Sequence, residues 1–76
     1  MTDFNSELDA RGLNCPLPIL RTKKSMSSMA NGEVLKVVAT DPGSVKDMEA
    51  YAKQTGNEIV DSTESDGEFT FYIQKS

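Results

Sequence analysis

The stretch EVLKVVATDPGSVKDMEAYAKQTG, residues 33–56, changes its apolar periodicity halfway along, and the fold follows from that change. Its first part, Glu33 to Thr40, carries Val34, Leu35, Val37 and Val38, a β-branched run that reads as a well-buried strand. Beyond it the apolar residues return at helical spacing. Val45, Met48, Tyr51 and Ala52 fall on one face of a helix from Ser44 to Thr55. Ser44 is placed to cap this helix, Asp47 adds negative charge near the positive end of its dipole, and Gly56 closes it.

Upstream, Pro16 to Ala30 reads as another helix, because Ile19, Thr22, Met26, Met29 and Ala30 share one side at 100° per residue. Asn31-Gly32 ends it. Ser6 to Ala10 alternates weakly around Leu8 and Ala10 and makes a short first strand, with residues 1–5 expected to be flexible. Downstream, Glu58–Thr63 and Phe69–Gln74 are two strands around Asp66-Gly67, a dipeptide favoured in tight hairpin turns. The order is βαβαββ. Two helices can cover one face of a four-stranded sheet, so the chain is read as a single-domain α/β (α+β) two-layer sandwich with a mixed sheet and a more open second face, which Lys36, Thr70 and Tyr72 suit.

A domain of 76 residues buries only about 60% of the surface its unfolded chain exposes, so one modest core must hold it. Eight basic against twelve acidic residues give a net charge of −4, which works against direct DNA binding because nucleic-acid affinity rests on neutralising phosphates. No apolar run approaches the roughly 20 residues of a membrane span, and MTDFNSELD lacks the basic start and apolar stretch of a signal peptide. The expected compartment is therefore the cytoplasm, and the expected state a monomer. One cysteine excludes an internal disulfide, and one cysteine with no histidine leaves the usual zinc ligand set unfilled. Neither a metal nor a cofactor is expected.

That cysteine lies in RGLNCPLPIL, residues 11–20. Gly12 and Asn14 before Cys15, with Pro16 and Pro18 after it, describe a turn at a helix start rather than a core stripe. Both prolines suit a first helical turn, whose N–H groups have no intrahelical partner to lose. A sulfur there faces the positive end of the helix dipole, which favours thiolate. The prolines remove two possible donors, leaving the Leu17 N–H, the dipole and Arg11 to support the charge. A buried small hydrophobe is the alternative fate of a lone cysteine. Without a second cysteine the chain cannot run a dithiol cycle by itself, and without histidine it lacks the usual base of a cysteine hydrolase. A thiolate that briefly holds a group, such as a sulfane sulfur in a persulfide, fits what remains.

LDARGLNCPLPIL, residues 8–20, resembles the signature of the TusA (SirA-like) sulfur-carrier family, in which Cys-Pro-x-Pro follows a short strand and opens the first helix. The resemblance continues through NGEVLKVVATDPGSVKDMEAYAKQTG and the last two strands, essentially the whole chain. It implies a βαβαββ sandwich and a persulfide on Cys15, with Gly12, Asn14, Pro16 and Pro18 as the supporting motif. It further implies a sulfurtransferase-class carrier that takes sulfur from a cysteine desulfurase or rhodanese-like donor and passes it to a downstream acceptor protein. Transfer RNA 2-thiouridine, sulfur oxidation, molybdenum-cofactor supply and selenium metabolism are the family's destinations. By the same resemblance Lys23 falls near the donor contact, and Asp41-Pro42 matches the Asp-Pro before the second helix. Asn14, Gln54 and Thr55 depart from tRNA-pathway members, which carry an arginine at the first position and tend to apolar residues at the other two.

Leu17 lies between two prolines at the helix tip with little core to reach, and is read as a partner contact; Leu20 fits a core edge or a docking role equally. Arg21 and Lys24 read as solvated helix surface, Met26, Met29 and Met48 as core fillers, and Asp61 to Glu68 as a hairpin loop. The competing functional reading is a thiol-based redox or regulatory interaction module without sulfur transfer, in which Cys15 is oxidised to a sulfenic acid or an intermolecular disulfide. A purely structural binding domain is the third.

Overall fold

Alternation along the strands decides which face of the sheet is covered. The computed structural model describes residues 4–14 and 17–76. It contains β1 (Ser6–Ala10), α1 (Leu17–Ser27), β2 (Val34–Ala39), α2 (Ser44–Thr55), β3 (Glu58–Ser65) and β4 (Glu68–Gln74). The sheet order is β1-β2-β4-β3, with β1 and β2 parallel and the other neighbours antiparallel. In β2 every second residue, Leu35, Val37 and Ala39, is buried, and register sets Ile73, Phe71 and Phe69 opposite them. These side chains meet Met26, Met29, Met48 and Tyr51 in one core. Both helices therefore lie on the same face, as the sandwich reading requires.

The other face is less open than its sequence suggests. Lys36 and Tyr72 pair directly across β2 and β4 on that face, yet Tyr72 is only 8% exposed. The Phe4 ring stands 6.1 Å from the Tyr72 ring, and the Lys36 ammonium lies 5.2 Å over Phe4 and 3.8 Å from Glu7. Phe4 and Asn5 fall within the segment expected to be flexible, but both are tied to the sheet. The Asn5 N–H donates to the Val34 carbonyl at 2.8 Å, and its side-chain oxygen accepts the Val34 N–H at 2.9 Å.

Strand β2 is one residue shorter at each end than Glu33–Thr40, and three further features differ from expectation. Helix α1 ends at Ser27 rather than Ala30, because the Ser27 and Ser28 hydroxyls bond back to the Lys24 and Ser25 carbonyls and the chain tightens into an i to i+3 turn at Met29. Met29 stays buried, whereas Ala30 is exposed and donates its N–H to Glu33. Ser44 is not the cap of α2. Gly43 occupies that position without a side-chain bond, while the Asp41 carboxylate accepts the Gly43 N–H at 3.0 Å and the buried Ser44 hydroxyl donates to the Asp41 carbonyl. The β3–β4 hairpin extends inward to Ser65 and Glu68, with Asp66 and Gly67 both at positive φ, the geometry of a tight primed turn. A register shift between Ile59 and Asp61 in β3 leaves Val60 exposed.

The C-terminal tail closes α1. The Lys75 ammonium donates to the Met26 carbonyl at 2.8 Å and the Met29 carbonyl at 2.7 Å, placing positive charge where the helix leaves acceptors without partners. Replacing Lys75 by Met keeps the apolar stem and removes the donor. The variant is expected to lose about 1–2 kcal/mol of stability, read as a lower urea midpoint with unchanged slope.

Candidate functional site

Parallel pairing brings the loops after β1 and β2 to the same end of the sheet. Ala10, Ala39, Phe69 and Glu64 stand in one row across the four strands. Beyond that row lie the segment Arg11–Asn14, the turn at Thr40–Gly43 and the hairpin tip at Asp66-Gly67. The expected sulfur-bearing residue, Cys15, and the helix-opening Pro16 lie outside the described residues; their neighbours Asn14 and Leu17 do not.

The segment leading to Cys15 is held by several bonds. Gly12 has φ +80° with open space around its α-carbon, a conformation that any side chain would strain. Its N–H donates to the Thr40 hydroxyl at 2.9 Å. The Leu13 N–H donates to the Ala10 carbonyl, and the Leu13 side chain packs against the core. Asn14 is exposed, and its carbonyl accepts the Leu17 N–H at 2.8 Å. Pro18, in the first turn of α1, is buried.

Two of the groups expected to support a thiolate are engaged elsewhere. The Leu17 N–H is the one bonded to Asn14. The Arg11 guanidinium grips Asp9 through two nitrogens, at 2.9 and 3.1 Å, and reaches Glu68 at 3.6 Å. Hydrogen bonding to Asp9 and the two neighbouring carboxylates hold Arg11 firmly protonated, but they also offset its charge. Neither Thr40 nor Glu68 stood out in the sequence. The Asp9-x-Arg11 spacing was a readable signal, since an acid and a base two residues apart at a strand end are close enough to pair.

The partner-contact candidates divide between two places. Leu17 and Leu20 are 44% and 53% exposed, large apolar side chains left in water near the head of α1. Leu20 and Lys23, with Ile19, line a groove of about 330 Å³ whose opposite wall is Asp47, Ala50 and Tyr51, with Gln54 and Thr55 at one end. The two departures Gln54 and Thr55 thus share one surface with Lys23. Tyr51 was read as core and is buried, yet it also forms part of this wall, and burial pushes its phenol pKa up. Asp41 stands apart from the groove, half-buried in the loop beside Arg11–Asn14, with its carboxylate accepting the Gly43 N–H. Among the described residues no group of three or more His, Cys, Asp or Glu could hold a metal ion, and no helix is long and apolar enough to cross a membrane.

The bond from Arg11 lowers the Asp9 pKa below its ordinary value of 3.8, chiefly through side-chain hydrogen bonding. A carboxylate whose folded pKa is depressed stabilises the fold above its unfolded pKa, and that contribution fades as pH falls through the folded value. Asp9→Asn is therefore expected to be slightly less stable than the parent at neutral pH. The difference should close as the solution is acidified below about 3.8, followed by urea midpoints at each pH.

The comparisons with known proteins agree with one another. The family model described as Sulfurtransferase TusA matches residues 6–75. The sulfur carrier protein TusA of Allochromatium vinosum is 64% identical over 76 residues, covering all of both chains. That of Pseudomonas putida is 39% identical over 77 residues, covering 99% of this chain and 96% of the relative. Among solved structures, the SirA-like protein of Desulfitobacterium hafniense superposes with a TM-score of 0.83 at 26% identity, over 92% of this chain and 96% of the other.

Proposed function

The chain belongs to the TusA sulfurtransferase family of sulfur carriers, and from that premise we propose that Cys15 carries the sulfur as a persulfide. The observation that carries the reading is the family match over residues 6–75, which includes the Cys-Pro-x-Pro motif of residues 15–18. In the loading step the Cys15 thiolate attacks the terminal sulfur of a donor persulfide. A new S–S bond forms to Cys15, the donor's S–S bond breaks, and its electron pair leaves on the donor thiolate. An acceptor thiolate then attacks the terminal sulfur of the Cys15 persulfide and returns Cys15 to its thiolate form. No net oxidant is required.

A cysteine desulfurase or a rhodanese-like protein serves as donor, and a thiol-bearing protein as acceptor, with tRNA 2-thiouridine or another sulfur-trafficking pathway as the destination. The reactions take place in the cytoplasm, with the carrier as a monomer. Exchange requires the two sulfurs to touch, so the donor must cover the head of α1. It docks over Leu17, Leu20 and Lys23, with Asp41 shaping the adjoining rim.

Incubation with a cysteine desulfurase and cysteine should add one sulfur to the intact mass measured without reductant, and Cys15→Ser should abolish the gain. A rhodanese with thiosulfate is the alternative donor. No gain from either donor would overturn the reading, and peroxide sensitivity with a Cys15-dependent dimer would instead favour the redox module. Leu20→Asp, on an exposed position, should leave unfolding within about 0.5 kcal/mol of the parent while slowing loading several-fold in a single-turnover assay.

A further inference from the structure

The loops after β1 and β2 lead to different helices, yet one side-chain bond joins them. Thr40, the first residue beyond β2, accepts the Gly12 N–H at 2.9 Å across 28 positions of sequence. The other bonds of the Arg11–Asn14 segment are of a different kind. Leu13 to Ala10 and Leu17 to Asn14 are local turns, and the Arg11 ion pairs are exposed on both sides, a class that contributes little to holding a chain in place. Among the bonds of the described residues, the Thr40 hydroxyl is thus a polar tie from this segment to the neighbouring loop of the sheet. Gly12, whose N–H donates to it, stands three residues before Cys15.

We propose that Thr40 is a positioning residue for sulfur exchange at Cys15, acting through its hydrogen bond to the Gly12 amide. The inference rests on the persulfide reading and adds to it a residue outside the Cys-Pro-x-Pro motif. Exchange between two sulfurs depends on their line of approach, and small displacements of one partner slow such reactions. Holding Gly12 in its left-handed conformation against Thr40 restricts how the chain arrives at Cys15. Thr40 acts on neither sulfur directly.

Thr40→Val keeps the shape and removes the acceptor, Thr40→Ala removes both, and Thr40→Ser restores the acceptor. Loss of one such bond should slow single-turnover sulfur loading by about threefold to tenfold in the Val and Ala variants and leave the Ser variant at the parent rate. The pH profile of Cys15 alkylation by iodoacetamide should shift in Val and Ala and not in Ser, a readout that simple loss of stability would not move. Independently of any variant, the Gly12 amide of the parent protein should exchange with solvent more slowly than an unprotected amide. Parent-like loading and alkylation in Thr40→Val and Thr40→Ala would overturn the inference, as would unprotected exchange at Gly12. Failure of the parent itself to load sulfur would overturn the persulfide reading instead, while the alkylation profiles and Gly12 exchange would still report on the Thr40 tie.

Discussion

The parallel ladder between Ser6–Ala10 and Val34–Ala39 is the constraint from which the arrangement of this protein follows. Parallel neighbours must be joined by a crossover, which here is α1. The crossover brings the ends of both strands to one edge of the sheet, so two strand-to-helix loops lie side by side. Antiparallel pairing of β2 with β4 adds the β3–β4 hairpin tip to the same edge. Contacts far apart in sequence, Gly12 with Thr40 and Arg11 with Glu68, become possible because of this pairing alone.

Stability is concentrated in a small set of residues. Domains of this size are held by roughly 4–11 kcal/mol in total, and truncating one buried Met or Ile to Ala costs about 2–5 kcal/mol. The fully buried Met48 and Ile73 are therefore each worth a large share of the fold. Methionine also supplies sulfur acceptors inside the core: Tyr51 and Asn57 both donate toward the Met26 sulfur, at 3.5 and 3.8 Å. With its carbonyl bonded to Lys75, Met26 connects α1 to α2, to the start of β3 and to the C-terminal tail. The head of α1, by contrast, leaves Leu17 and Leu20 in water. An apolar surface left in water by a fold with so little core to spare marks a place for a partner rather than for packing.

Electrostatics at that end of the molecule differ from the simplest picture of an activated thiol. Arg11 is balanced by Asp9 and Glu68, and the Leu17 N–H already closes a turn on Asn14. A carrier that is reached by its donors and acceptors has less need of a strongly acidified sulfur than an enzyme that must attack unaided. Thiol exchange is fastest when the attacking thiol's pKa lies near the ambient pH, because nucleophilicity falls along with pKa.

The sequence by itself determined the six elements and their order. β1 and α2 have the limits read from it, because alternation and helical spacing are local properties of the chain. It also determined the family, through a motif whose residues are contiguous. Tertiary structure decided what depends on residues meeting from a distance: the closing of the α1 C-terminus by Lys75 and the cover of Phe4 over Tyr72. It also decided that Lys23 and Leu20 face Tyr51 across a groove, and that Thr40 holds Gly12. Those relations come from strand register and helix packing, which bring together residues tens of positions apart, and one-dimensional periodicity carries no information about which of them will touch.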